Sequence, residues 1–220
     1  MATLCSECYD EAAGHLAKVG RGDADKQELE LLAFFSSPEL DPFGRRVPPN
    51  QQLQLMREIK QLQEAIPAAQ QTVVPAARWP DDVKKQLAKV APRVLQFSGH
   101  GVKDGHAGRL VFQSGDGLPS MPPLVDWVSL LQRDQADRLE GVLLNACETA
   151  GIAAALVRAR TTEHLAAVCW ATKVDNKASV TFTKGFYERM GTVVGCDIAE
   201  AFQAGVDAFT QKYNIGDPDA

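Results

Sequence analysis

The sequence lacks any long apolar run. No stretch approaches the roughly 18 consecutive apolar residues that a membrane-spanning helix needs. The amino terminus also lacks the positive region and the continuous apolar core of a secretory signal peptide. We therefore expect an intracellular, cytoplasmic protein with no membrane partner.

Positive charge is also in short supply. The chain has 23 Lys and Arg residues against 28 Asp and Glu residues, so its formal net charge is -5. Proteins that bind nucleic acids usually carry a basic patch that neutralises phosphates. No basic cluster stands out here, and we expect no nucleic-acid partner.

Cysteine is scarce, and its odd number does not suggest a disulfide framework. Five cysteines without a secretion signal are typical of a reducing compartment, where thiols stay free. Cys5 and Cys8 resemble half of a zinc site, but four ligands are usual and only His15 lies nearby. We expect no metal and no cofactor. We interpret residues 1–27 as a mobile or loosely docked leader and residues 213–220 as a tail.

The sequence has no internal repeat and no Gly-x-Ser-x-Gly elbow of an α/β-hydrolase. Instead, short apolar runs alternate with helical patterns, which is typical of βαβ units in a parallel sheet. We predict strands at 28–35, 71–74, 93–98, 109–113, 164–171 and in the run that begins at Val142. Helices are predicted at 51–66, 80–90, 125–131, 149–159, 175–190 and 199–209. The first helix has an apolar stripe at Leu53, Met56, Ile59, Leu62 and Ile66.

Two predicted strands end in residues that carry chemistry. One is followed by Ser-Gly-His-Gly, which contains His100, and the other by Asn-Ala-Cys-Glu-Thr, which contains Cys147. In an open parallel sheet, ligands and chemistry collect just past the carboxyl ends of the strands. A histidine and a cysteine at neighbouring strand ends predict a thiol nucleophile with its proton carrier.

These two motifs resemble those of a CHAT domain, a member of the caspase-like cysteine peptidases. The spacing of His100 and Cys147 fits the roughly 50 residues between the histidine and the cysteine of caspases. The resemblance covers residues 28–212, including Trp170–Asp175 and Gly185–Tyr187. It implies an α/β fold: a caspase-like three-layer sandwich in which helices flank a mostly parallel central sheet.

The leading hypothesis is a cysteine endopeptidase that cleaves protein or peptide substrates through a thioester. Cys147 is the predicted nucleophile, because unpaired N–H groups at the start of the following helix favour a thiolate. His100 is expected to deliver a proton to the leaving amine. The backbone N–H groups of Gly101 and Cys147 are the candidate oxyanion donors, as the resemblance also implies.

Each of these residues also has a structural interpretation. Cysteine commonly packs as a small hydrophobe, and a lone core histidine often satisfies a carbonyl. The ordered pair favours a dyad of His100 and Cys147, whereas Cys169 and Cys196 are interpreted as structural. The alternative function is a non-catalytic or partner-activated signalling module of the same fold. Because CHAT domains often accompany regulatory domains and none is recognised here, we also consider a separate activator or regulator protein.

Three side chains are predicted to line the substrate pocket. In related metacaspases an acidic residue two positions before the cysteine binds a basic side chain, but this chain has the neutral Asn145 there. Asp175 is the compensating candidate, with Trp170 as an apolar wall, unless Asp175 caps the helix that begins near Asn176. Preference for aspartate would need an arginine, and only Arg109 is near. We therefore rank aspartate below basic or small uncharged residues before the cut.

Overall fold

The structure is a computed structural model. It describes residues 31–48, 52–105, 108–132, 138–159, 165–193 and 196–213. The predicted leader with Cys5 and Cys8, and all of the predicted tail except Tyr213, lie outside the described residues.

Seven strands of the described chain form one sheet. They are β1 (Leu31–Ser36), β2 (Gln71–Val74), β3 (Val94–Val102), β4 (Arg109–Gln113), β5 (Pro119–Ser120), β6 (Gly141–Asn145) and β7 (Ala166–Cys169). Five strands are parallel and lie in the order β2, β1, β3, β6, β7. β4 pairs antiparallel with the end of β3, and β5 pairs antiparallel with β4. The mostly parallel sheet predicted from the sequence is confirmed.

Six α-helices of the described chain cover this sheet. They are α1 (Leu55–Ala65), α2 (Asp81–Val90), α3 (Leu124–Leu131), α4 (Ala150–Ala159), α5 (Asn176–Thr192) and α6 (Ile198–Tyr213). None of these helices has both the length and the apolar character that a membrane span requires.

The helices divide between the two faces of the sheet. In β1, Leu31 and Phe35 pack with α1, α5 and α6, whereas Leu32 and Phe34 pack with α2, α3 and α4. Successive side chains of a strand point to opposite faces, so both faces of β1 must be apolar to be covered. The predicted three-layer α/β sandwich is therefore confirmed.

β3 is longer than the sequence predicts. The apolar run predicts a strand that ends at Ser98, but β3 continues through His100 to Val102. β6 stops pairing at Ser98, and the extension of β3 instead pairs with β4, with His100 opposite Val111. His100 is thus held within a strand and does not lie in a loop after it.

α1 departs from its predicted apolar stripe at two positions. Ile59 and Leu62 are buried as expected, whereas Met56 is 73% exposed. Glu58 takes an inward position and is only 2% exposed. A buried carboxyl group needs hydrogen-bond partners in the interior.

α5 and α6 approach each other closely at Gly185. A Cβ atom built on Gly185 would lie 2.5 Å from the carbonyl oxygen of Ala204 and 2.7 Å from the Cβ of Ala208. One of these neighbours is backbone and cannot rotate away. The helix crossing therefore requires glycine at this position.

Gly185→Ala is expected to lower the free energy of unfolding by about 1–3 kcal/mol, because the added methyl group overpacks the helix crossing. Intrinsic helix propensity alone predicts the opposite sign, a gain of about 1 kcal/mol. Urea denaturation measures the change. Gly115→Ala is the matched control, since a Cβ there meets nothing within 4 Å. Equal stability of the two variants would contradict the packing argument.

Candidate active site

The extension of β3 lies directly against the turn that follows β6. A Cβ atom built on Gly101 would lie 2.0 Å from the carbonyl oxygen of Cys147 and 3.1 Å from its backbone nitrogen. Only glycine permits so close an approach of two backbones. The fold therefore brings the His100 and Cys147 motifs together, along with the two predicted oxyanion residues.

Cys147 lies in the turn between β6 and α4, and its side chain is half-buried. Its Sγ accepts the backbone N–H of Val174 at 3.5 Å and lies 3.9 Å from the Val174 carbonyl oxygen. The sulfur is the acceptor in the first contact, and the thiol is the donor in the second. Sequence reasoning missed these contacts, because they involve backbone groups, which do not depend on the side chain at position 174.

The turn after Cys147 has an unusual backbone conformation. Glu148 has φ 55, in the left-handed region that non-glycine residues rarely adopt. Its N–H donates to the carbonyl of Thr172 at 3.3 Å, and the N–H of Thr149 donates to the carbonyl of Trp170 at 2.9 Å. These bonds hold the turn against the segment after β7. Such strained residues cluster at functional sites.

His100 is half-buried on the extension of β3. Burial lowers the pKa of its imidazole, because desolvation penalises the charged ring. A histidine whose pKa lies below its ordinary value of about 6.5 is neutral at pH 7. The ring can then accept a proton from a thiol and return it later in a reaction.

NMR titration of the imidazole ring protons is expected to give His100 a midpoint below about 6.5, because the folded protein desolvates the ring. The signal is assigned by its loss in His100→Gln, among the four histidines of the chain. As the pH falls, the unfolded chain therefore binds a proton at His100 at a higher pH than the folded protein does. His100 should therefore reduce stability only below about pH 6.5. A midpoint at or above the ordinary value would contradict the assignment of a desolvated ring.

Asn145 and Trp170 lie in the interior. Asn145 is 5% exposed and Trp170 is 7% exposed. The indole N–H of Trp170 donates to the side-chain oxygen of Asn145 at 2.8 Å. The Trp170 ring also packs edge-on against Phe182, with ring centroids 5.5 Å apart. Both side chains thus hold the fold together, and little of their surface is left for the predicted contact with substrate.

Asp175 caps α5. One oxygen of its side chain accepts the backbone N–H groups of Lys177 at 2.8 Å and Ala178 at 3.3 Å. This is the capping interpretation that the sequence left open. Arg109, the arginine considered for an aspartate pocket, forms an ion pair with Asp104 at 2.6 Å. Both charged candidates therefore already have partners of their own, and their substrate contacts stay predictions.

A buried carboxyl group beneath the two motifs was missed by sequence reasoning. Glu58 accepts hydrogen bonds from the Ser98 hydroxyl at 2.7 Å, the Tyr187 hydroxyl at 2.9 Å and the Gln96 amide at 2.9 Å. The Asn145 amide reaches both of its oxygens at 3.1 Å. Burial raises the pKa of Glu58, and these four donors oppose that shift. The helical spacing could have predicted the burial of Glu58, because position 58 lies on the inner face that Ile59 and Leu62 define.

Cys169 and Cys196, two thiols of the described chain, fit structural roles. Cys169 is buried in the core between β7 and α4, as the sequence predicts for a packing residue. Burial raises the pKa of Cys196 to about 11, so this thiol stays protonated at neutral pH. Across the described part of the chain, no group of three or more His, Cys, Asp or Glu side chains is placed to hold a metal ion.

The fold is a three-layer α/β sandwich, and its histidine motif and cysteine motif meet at the carboxyl ends of β3 and β6. This arrangement is consistent with the caspase-like class of folds. A family model described as CHAT domain matches residues 33–213, which is most of the chain. The chain therefore belongs to the CHAT domain family, whose members are associated with caspase-like cysteine peptidases. Comparison with curated proteins finds no match.

Proposed function

We propose that the protein is a cysteine endopeptidase with a dyad of His100 and Cys147. The observation that carries this proposal is the backbone contact between Gly101 and Cys147, which joins the two motifs at one edge of the sheet. Amide cleavage by this route needs a nucleophile and a proton carrier. The half-buried Cys147 thiol, which has an N–H donor at its sulfur, is the nucleophile, and the desolvated His100 is the proton carrier. Membership of the CHAT family supports the same chemistry.

In the proposed reaction, His100 takes the proton of the Cys147 thiol, and the resulting thiolate attacks the scissile carbonyl carbon. The N–H groups of Gly101 and Cys147 donate to the oxyanion that forms. The C–N bond then breaks, and the protonated His100 gives its proton to the leaving amine. Water, deprotonated by His100, hydrolyses the thioester, and the proton returns to the thiol. Cysteine and histidine thus end as they began.

Cys147 is expected to be alkylated by a peptide-based thiol electrophile faster than the other four of the chain's five cysteines. It is partly exposed, and its proposed proton acceptor His100 lies in the motif that contacts it. Quantitative mass spectrometry of cysteine-containing peptides measures the rates. Cys196→Ala is the matched control, because it removes another half-buried thiol and should leave the labelling of Cys147 unchanged.

Cys147→Ala should also abolish cleavage of any substrate that the wild type cuts, with an unchanged thermal unfolding curve. Labelling of Cys147 at or below the rate of the other cysteines would refute the dyad. Cleavage that survives in Cys147→Ala would refute the nucleophile.

One observation favours a second candidate, a module that a separate regulator protein activates. The segment after β7 contacts the Cys147 sulfur through both the N–H and the carbonyl of Val174. A partner that moved this segment would change the surroundings of the thiol. Labelling of Cys147 without turnover of any peptide would favour this alternative. In either case we propose protein or peptide partners and a reducing, cytoplasmic setting in which the thiol stays free.

Among fluorogenic peptides varied at the residue before the cut, those with aspartate are expected to be cleaved more slowly than those with basic or small uncharged residues. Aspartate recognition would need a free arginine, and Arg109 is already paired with Asp104. Efficient cleavage after aspartate would overturn this order.

The role of Asp175 is separated from its capping role by Asp175→Asn, since asparagine caps a helix as well as aspartate does. A selective loss of cleavage after Lys or Arg in this variant would place the Asp175 carboxylate in the pocket. An unchanged profile would remove it.

A further inference from the structure

The two motifs share a buried support. Glu58 on α1 accepts hydrogen bonds from Ser98 on β3 and from Asn145 on β6. Ser98 lies two residues before His100, and Asn145 lies two residues before Cys147. One carboxyl group therefore ties together the two strands that carry the proposed dyad.

We propose that Glu58 is a positioning residue that fixes the end of β3 relative to the end of β6, and thereby His100 relative to Cys147. This inference rests on the proposed function only in treating those two residues as the reacting pair. Glu58 is itself only 2% exposed, so it acts on the dyad through its hydrogen-bond partners and not through contact with substrate.

The hydrogen bonds of the support converge on the oxygens of one carboxyl group. Three neutral partners, Gln96, Ser98 and Tyr187, donate to one oxygen of Glu58, and the Asn145 amide donates to both oxygens. A carboxylate can accept about four hydrogen bonds, whereas an amide in its place has one oxygen and two hydrogens of its own. Replacing Glu58 by Gln keeps the shape but sets its amide hydrogens against those of Asn145, the one donor to the second oxygen among the described residues.

The geometry explains why such a change would reach the dyad. Side chains alternate along a strand, so Ser98 and His100 lie on the same face of β3. The Gly101 backbone contacts the Cys147 backbone with no space for even a methyl group. A displacement of β3 against β6 therefore changes the placement of His100 and Cys147 directly.

The proposal is tested by exchanging the carboxyl group of Glu58 and the amide group of Asn145 between the two positions. Glu58→Gln and Asn145→Asp each disrupt the match of donors and acceptors, whereas the double variant restores it with the two groups exchanged. The acceptor that Trp170 uses on residue 145 is retained in every variant, since an aspartate oxygen accepts its indole N–H equally well.

Two readouts are measured for each variant: the rate of Cys147 alkylation by iodoacetamide as a function of pH, and the NMR titration midpoint of His100. Each single variant is expected to slow alkylation at neutral pH by about tenfold, because a small displacement of paired groups costs one to two orders of magnitude in rate. The midpoint of His100 should move as well. In the double variant both quantities should return most of the way to wild-type values.

Thr183→Val is the matched control for a general loss of stability. Thr183 is fully buried, and its hydroxyl bonds only to carbonyls of its own helix among the bonds described. This variant is expected to leave both readouts unchanged. If Glu58→Gln does not fold, Tyr187→Phe removes a single donor from the same carboxylate and should shift both readouts in the same direction by less.

Wild-type alkylation rates and a wild-type His100 midpoint in the folded single variants would overturn the positioning role. The positioning role would also be overturned if the effects of Glu58→Gln and Asn145→Asp on the two readouts simply added in the double variant. Neither readout depends on peptide cleavage. Failure of the proposed function is therefore seen separately, if the wild-type protein is alkylated at Cys147 but cleaves no peptide.

Discussion

Burial of the parallel sheet on both faces is the constraint on which the rest of the structure depends. Side chains of β1, β3 and β6 lie between two layers of helices, so a polar group within them must find a partner or leave the interior. The chain uses both solutions. His100 and Cys147 lie at the carboxyl edge, where they are half-exposed, whereas Ser98 and Asn145 remain inside and bond to Glu58.

Much of this arrangement is local in origin and could be predicted. Short apolar runs and amphipathic helical spacing predict the mostly parallel sheet and the two motifs at strand ends, and the resemblance to a CHAT domain implies helices on both faces. The extension of β3 could not be predicted in this way, because Ser-Gly-His-Gly has no apolar alternation. It is a strand only because β4 supplies hydrogen bonds where β6 has ended.

The parts that sequence reasoning missed depend on contacts between distant segments. The hydrogen bonds of Glu58 join residues that are 38 to 129 positions apart along the chain. Asn145 illustrates the difficulty, since its place before Cys147 suggests a pocket residue while its side chain turns toward α1 and Trp170. Asp175 was more accessible to prediction, because helix capping involves only its immediate neighbours.

The antiparallel pairing of β3 with β4 has a consequence for how the site can fail. His100 stands opposite Val111, and side chains on a strand alternate between the two faces. Because β1 and β6 already fix β3 as far as Gly99 and Ser98, a slip of one residue against β4 would turn Val111 to the opposite face of the sheet and leave the imidazole where it is. A register error at this pairing would therefore change the side chains beside His100 while the imidazole kept its own face of the sheet.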